Sequence, residues 1–214
     1  MSKYENGTAT RKIIIQAAKK LFLENGYEKT SFDDIALQAH VNRGSIYYHF
    51  KSKAALRDHI IEGVFERAGL AAQYIGTPTA YIYPLQNAIC YDGMMRDGRM
   101  RNFILSSRNT PVFESVRDRY VIRIACFRPF LTEQELQALS HDFWTEYSLH
   151  TLDMNRFLYI CRNPYTYPLE EIIHQLVDVT GKIYGVPLPA ITQTQEAVSQ
   201  QMQKIDFEHL NIRW

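Results

Sequence analysis

The residues best suited to chemistry with a partner lie between Ser31 and Lys53, in the stretch SFDDIALQAHVNRGSIYYHFKSK. Arg43, Ser45 and Tyr48 carry donors and acceptors of the kind that read base edges in a DNA major groove. Ser31, Tyr47, His49 and Lys53 suit hydrogen bonds and charge contacts with phosphate oxygens. Gly44 removes bulk where a backbone must approach closely, and Asn42 beside these residues completes the candidate DNA-binding set. Nothing comparable serves catalysis. The sequence contains no GxSxG, GxGxxG, Walker A or HExxH pattern, so neither an enzyme nor a cofactor is expected.

Those side chains are useful only if a short exposed helix presents them, and the flanking residues supply one. Ser31 can cap a first helix, with Asp34 able to reach back, and Ile35, Ala36 and Ala39 give it an apolar face. That helix stops near His40. Asn42 caps a second helix, Arg43 to about Phe50, in which Ile46 and Phe50 share the buried side. At about 100° per residue, Gly44, Ser45 and Tyr48 lie opposite Ile46 and face outward. Two short helices and a tight turn of this kind read as a DNA-binding helix-turn-helix. Upstream, Ile13, Ile14, Ala17, Ala18, Leu21 and Phe22 mark a buttressing helix from Thr10 to about Asn25, ended by Gly26.

In register along this segment, Leu21-Phe22, Gly26-Tyr27, Thr30-Ser31, Asp34-Ile35-Ala36, Gly44, Tyr47-Tyr48-His49-Phe50, Lys53 and Leu56 resemble the N-terminal pattern of the TetR family of bacterial transcriptional regulators. One position departs from that pattern. His40 stands where the family usually carries Gly, so it must take a left-handed backbone or the turn must be built differently. The resemblance implies an all-α protein, with an N-terminal three-helix DNA-binding domain joined by a long helix to a C-terminal helical ligand-binding and dimerisation domain. We place the first domain at 1–55 and the second at 56–214, with a loosely held C-terminal extension at 190–214.

Charge agrees with that division. Residues 1–60 hold 10 Lys and Arg against 6 Asp and Glu, whereas residues 61–214 hold 14 against 17. Seven of the nine lysines precede residue 54. Cys90, Cys126 and Cys161 are odd in number and lack a CxxC spacing, as expected of reduced thiols in a cytoplasmic protein. The first residues, MSKYENGTATRK, have no apolar run and do not read as a signal peptide. The uncharged run from Ala68 to Tyr91 is too polar, and too broken by Pro78 and Pro84, to span a bilayer.

Beyond residue 51, helical spacing is expected throughout, at roughly 52–74, 81–97, 99–108, 111–128, 133–162, 168–185 and 193–209. Thr110-Pro111, Thr132 with Glu135, and Thr192 with Gln195 read as helix starts. Four aromatic residues, Phe103, Tyr120, Trp144 and Tyr147, are the candidates to face a ligand in an apolar pocket. Glu146 and His150 are four apart beside His141, Asp142 and Asp153, but one pair does not make a metal site, and hydrogen bonding on one helix is the stronger reading. The arginines between 99 and 128 read first as ion-pair partners of Asp97, Glu114 and Asp118. The apolar face of 168–185, together with 143–162, is expected to pack against a second copy.

The expected function is that of a ligand-responsive transcriptional repressor, a homodimer on a double-stranded DNA operator, released by an unknown small-molecule effector. A DNA-anchored adaptor whose second domain binds a protein partner is the alternative. An enclosed apolar cavity would favour the first and an exposed apolar patch the second. The fourth helix, shared by both domains, is the expected transmitter between them.

Overall fold

Apolar residues recurring every three or four positions make helices, and the computed structural model describes residues 3–107, 120–163 and 166–210. Among these the helices are α1 Lys3–Asn25, α2 Phe32–Ala39, α3 Arg43–His49, α4 Lys53–Tyr74, α5 Ile82–Arg96, α6 Gly98–Ser106, α7 Tyr120–Ile124, α8 Glu133–Gln137, α9 Phe143–Arg162, α10 Leu169–Tyr184 and α11 Leu188–Met202. No strand occurs among the described residues, so the fold is all-α. None of their helices is long and apolar enough to cross a membrane.

Contacts divide the chain into two units. The first comprises residues up to Gly63 together with the segment beginning at Asp97; the second comprises Val64–Arg96 and the C-terminal part. The first unit is built on α1, which packs on α2, α3 and α6. Its core holds Ile14, Ala18, Phe22, Ile35, Ile46, Leu56 and Ile60. Phe22 meets Tyr27 edge-on at 5.2 Å and stacks on Phe103 of α6 at 5.7 Å. Asp97 starts α6 by accepting from the Arg99 and Met100 amides.

The second unit surrounds α5, which contacts α9, α10 and α11. Its residues Leu85, Ala88, Ile89, Cys90, Tyr91, Met94 and Met95 are buried nearly all round, the pattern of a central rather than a surface helix. α10 buries Ile172, Ile173, Leu176, Val177 and Tyr184 against α5 and α11. Gly181 lets α10 and α11 close: a Cβ there would lie 2.7 Å from Cγ1 of Ile191.

Several expected boundaries change. The single helix expected at 133–162 is broken into α8 and α9. Thr132 and Glu135 do form a capping box, but Asp142 opens a new helix by accepting from the Thr145 amide, and the Ser140 amide donates to the Tyr184 carbonyl at 2.9 Å. Thr192 does not start a helix. Its hydroxyl donates to the Leu188 carbonyl inside α11, which begins earlier with Pro189 in its first turn. Nor is this C-terminal helix loosely held, since Ala190, Ile191, Thr194, Val198 and Met202 are buried. The expected Thr110-Pro111 start lies outside the described residues.

Candidate nucleic-acid interface

The segment expected to read DNA is shaped by its own caps. The Ser31 hydroxyl accepts from the Asp34 amide at 3.1 Å, and Asp34 Oδ2 accepts from the Ser31 amide at 2.8 Å and from its hydroxyl at 2.6 Å. These bonds hold the Asp34 carboxyl below its ordinary pKa, the hydroxyl contributing most. α2 ends at His40, which takes the left-handed conformation at φ 53° and ψ 41°. The Val41 amide then donates to Ala36 and the His40 amide to Leu37, a Schellman closure that usually uses Gly. A left-handed His is the less common solution to the same turn.

Asn42 starts α3 by accepting from the Ser45 amide at 2.8 Å. Opposite that cap, Ile46 is fully buried and Phe50 nearly so, which fixes the rotation of the helix. Tyr48 is therefore 84% exposed, and Arg43, Gly44 and Tyr47 also face solvent. Gly44 has a local reason as well as its expected one, because a Cβ there would sit 3.2 Å from the capping Asn42 Oδ1. Ser45 is half-buried and its hydroxyl donates to the same oxygen at 3.1 Å. His49 meets Tyr48 edge-on at 5.0 Å. It also borders a shallow depression of about 420 Å³ shared with Gly7 and Thr10 of α1 and with Asn42, Gly44 and Ser45.

Two residues expected at phosphates are committed within the protein instead. Ser31 is spent on the capping box. Lys53 Nζ donates to the carbonyls of Tyr27 at 2.9 Å and Thr30 at 3.0 Å and lies 4.3 Å from the centre of the Tyr27 ring. An ammonium has three N–H donors, so these contacts leave Lys53 little to offer a phosphate. It ties the start of α4 to the turn between α1 and α2.

Sequence reasoning missed the partners that hold the outward residues. Arg43 Nη1 pairs with Asp33 at 3.0 Å, and Phe32 meets Tyr47 edge-on at 5.1 Å. Opposite charges ten residues apart on consecutive helices were the available signal. The Arg11 guanidinium lies over the Phe50 ring at 5.0 Å and donates to His59 Nε2 at 3.2 Å, a contact across 48 residues that no local pattern shows.

Of the expected ligand-facing aromatics, Trp144 and Tyr147 meet edge-on at 6.3 Å. Phe103 is buried on Phe22 in the first unit. Trp144 and Tyr147 belong to the second unit and are 70% and 50% exposed on α9. The Tyr120 side chain lies outside the described residues. Of the suspected metal cluster, Asp142 is a helix cap, and the side chains of Glu146, His150 and Asp153 are not described; no group able to hold a metal occurs among the described residues.

A family described as bacterial regulatory proteins, tetR family, matches residues 14–60. The residues so matched are those that build the latter half of α1, all of α2 and α3, and the start of α4. In sequence, the chain is similar to the HTH-type transcriptional regulator TtgR of Pseudomonas putida, 40% identical over 62 residues, 29% of this chain and 30% of that one. It is similar also to IcaR of Staphylococcus aureus, a negative transcriptional regulator of a biofilm operon, 40% identical over 53 residues, 25% and 28% of the two chains. The similarity thus spans less than a third of either relative. In fold it resembles the TetR-family repressor FadR of Thermus thermophilus, crystallised with lauroyl-CoA, with a TM-score of 0.54 at 19% identity over 79% of this chain and 92% of that one.

Proposed function

We propose that this protein is a transcriptional repressor that binds a double-stranded operator as a homodimer and leaves it when a small molecule binds. The observation that carries the reading is the rotation of α3: its caps and the burial of Ile46 turn Arg43, Tyr47 and Tyr48 outward together from a short helix. The match over residues 14–60 and the basic surplus of residues 1–60 support it. Of the expected contact residues, Arg43, Tyr47, Tyr48 and His49, approached closely at Gly44, are proposed to face DNA, while Asn42, Ser31 and Lys53 set the frame that aims them. A regulator of this kind works in the cytoplasm, where its operator is.

A second copy is proposed to pack on α9, where Trp144, Tyr147, Leu152 and Tyr159 leave apolar area uncovered in the single chain. The face of α10, expected to share this role, is already covered by α5 and α11. The same α9 patch is what an adaptor would offer to a different protein, and molar mass in solution separates the two readings. FadR, of the same fold, holds lauroyl-CoA, which supports a small-molecule effector for the second unit. α4, continuous from Lys53 to Tyr74, is the proposed transmitter.

Selection from a randomised duplex library with the full chain tests the proposal. A two-part site with strongly salt-dependent affinity is expected, with half-sites about 34–36 Å or a multiple apart. Enrichment of no sequence above background would refute it.

A further inference from the structure

We infer that Asp33 is a positioning residue for DNA reading and that the base it aims Arg43 at is guanine, a conclusion that rests on the DNA-binding function proposed above. Arg43 is held at three points. Its Nη1 donates to both carboxylate oxygens of Asp33, at 3.2 and 3.0 Å, and its Nη2 donates to the Tyr47 hydroxyl at 3.3 Å. The guanidinium carbon lies 5.6 Å from the centre of the Tyr47 ring. That ring is itself braced by Phe32, which is buried and meets it at 80°. Two successive residues of α2 therefore fix two residues one turn apart on α3.

Beyond these contacts the guanidinium keeps its Nε hydrogen and one hydrogen on each terminal nitrogen, all of them donors. In the major groove, guanine presents two adjacent acceptors, O6 and N7, whereas adenine pairs an acceptor with a donor. Among single bases, a donor-only fork in a fixed orientation matches guanine. The ion pair does little for stability, since both side chains are more than half exposed. Its effect is to order a long side chain before DNA arrives, so that less freedom is lost on binding. A carboxylate beside the groove also repels phosphate, and so weakens binding wherever no guanine compensates.

The test selects bound sequences from a randomised duplex library using the full chain and its Asp33→Ala, Asp33→Glu and Arg43→Ala variants, with thermal melting of each as the check on folding. The parent should prefer guanine at one position of each half-site by about 5- to 100-fold, and Arg43→Ala should abolish that preference while keeping the others. Asp33→Ala should weaken it by about 3- to 10-fold and at the same time tighten binding to DNA lacking the site. Asp33→Glu, whose carboxylate still reaches, should restore part of the preference. A merely structural role would lower binding to all DNA alike.

The inference is overturned if Asp33→Ala leaves the guanine preference intact, if it raises preference and affinity together, or if the Arg43-dependent position is not guanine. A parent that enriches no sequence refutes the DNA-binding function itself, a result distinct from these.

Discussion

In the recognition segment the helix caps close three residues apart, whereas in the C-terminal unit many contacts span twenty to seventy. Ser31 with Asp34 and Asn42 with Ser45 each close a helix within one turn. By contrast, Thr194 donates to the Cys126 carbonyl across 68 residues, His174 meets the Ser199 hydroxyl across 25 at 2.6 Å, and Gln195 donates to the His174 carbonyl across 21. Local closure starts the short helix in place, and the burial of Ile46 and Phe50 with the contacts from Phe32 and Asp33 then aims it. Long-range closure makes every apolar face depend on which other helix covers it. A surface for reading DNA is thus specified by a few neighbouring residues, while a surface for a second copy or a ligand is whatever the packing leaves over.

Substitutions at buried and exposed apolar positions of the second unit probe that difference most strongly. If the apolar face of 168–185 packed against a second copy, as expected from sequence, Ile173→Glu would give monomers. Ile173 is fully buried within one chain, so the charge should instead unfold the unit, at a cost on the order of 3–5 kcal/mol. Trp144→Glu combined with Tyr147→Glu should keep the helical circular dichroism and halve the molar mass. Folded, monomeric Ile173→Glu protein would return α10 to the interface.

A smaller effect tests whether the first unit is as local as its caps suggest. Lys53→Met removes charged hydrogen bonds to the Tyr27 and Thr30 carbonyls and should cost about 1.5–3 kcal/mol in denaturant unfolding. The salt dependence of DNA binding should change by well under the slope of about 0.9 that one phosphate contact contributes. Unaltered stability with a full loss of that slope would restore Lys53 to the phosphate.

The smallest effect concerns the α2 cap. Ser31→Ala should cost about 0.5–2 kcal/mol at neutral pH. Because the Asp34 pKa is lowered from 3.8 in the folded protein, its contribution is complete above that value and is lost as pH falls through the lowered one. Asp34→Asn should therefore remove part of the acid sensitivity, read as a flatter fall of melting temperature below about pH 4. Equal acid sensitivity in the two proteins would mean that the box does not hold in solution.

By itself the sequence determined the helical class, the caps at Ser31, Asn42 and Thr132 and the outward side of α3, while it left the turn at His40 open between a left-handed backbone and another build. The caps follow from bonds within one helical turn and the other two from apolar spacing along a helix, both of which residue type and position express directly. Only the tertiary structure decided that Lys53 is a strut, that Phe103 is core, that 133–162 is two helices and that Leu188–Met202 covers α10. An apolar stripe states that something must cover it and not what does. The answer depends on close approaches such as Gly181 to Ile191, which no local pattern encodes.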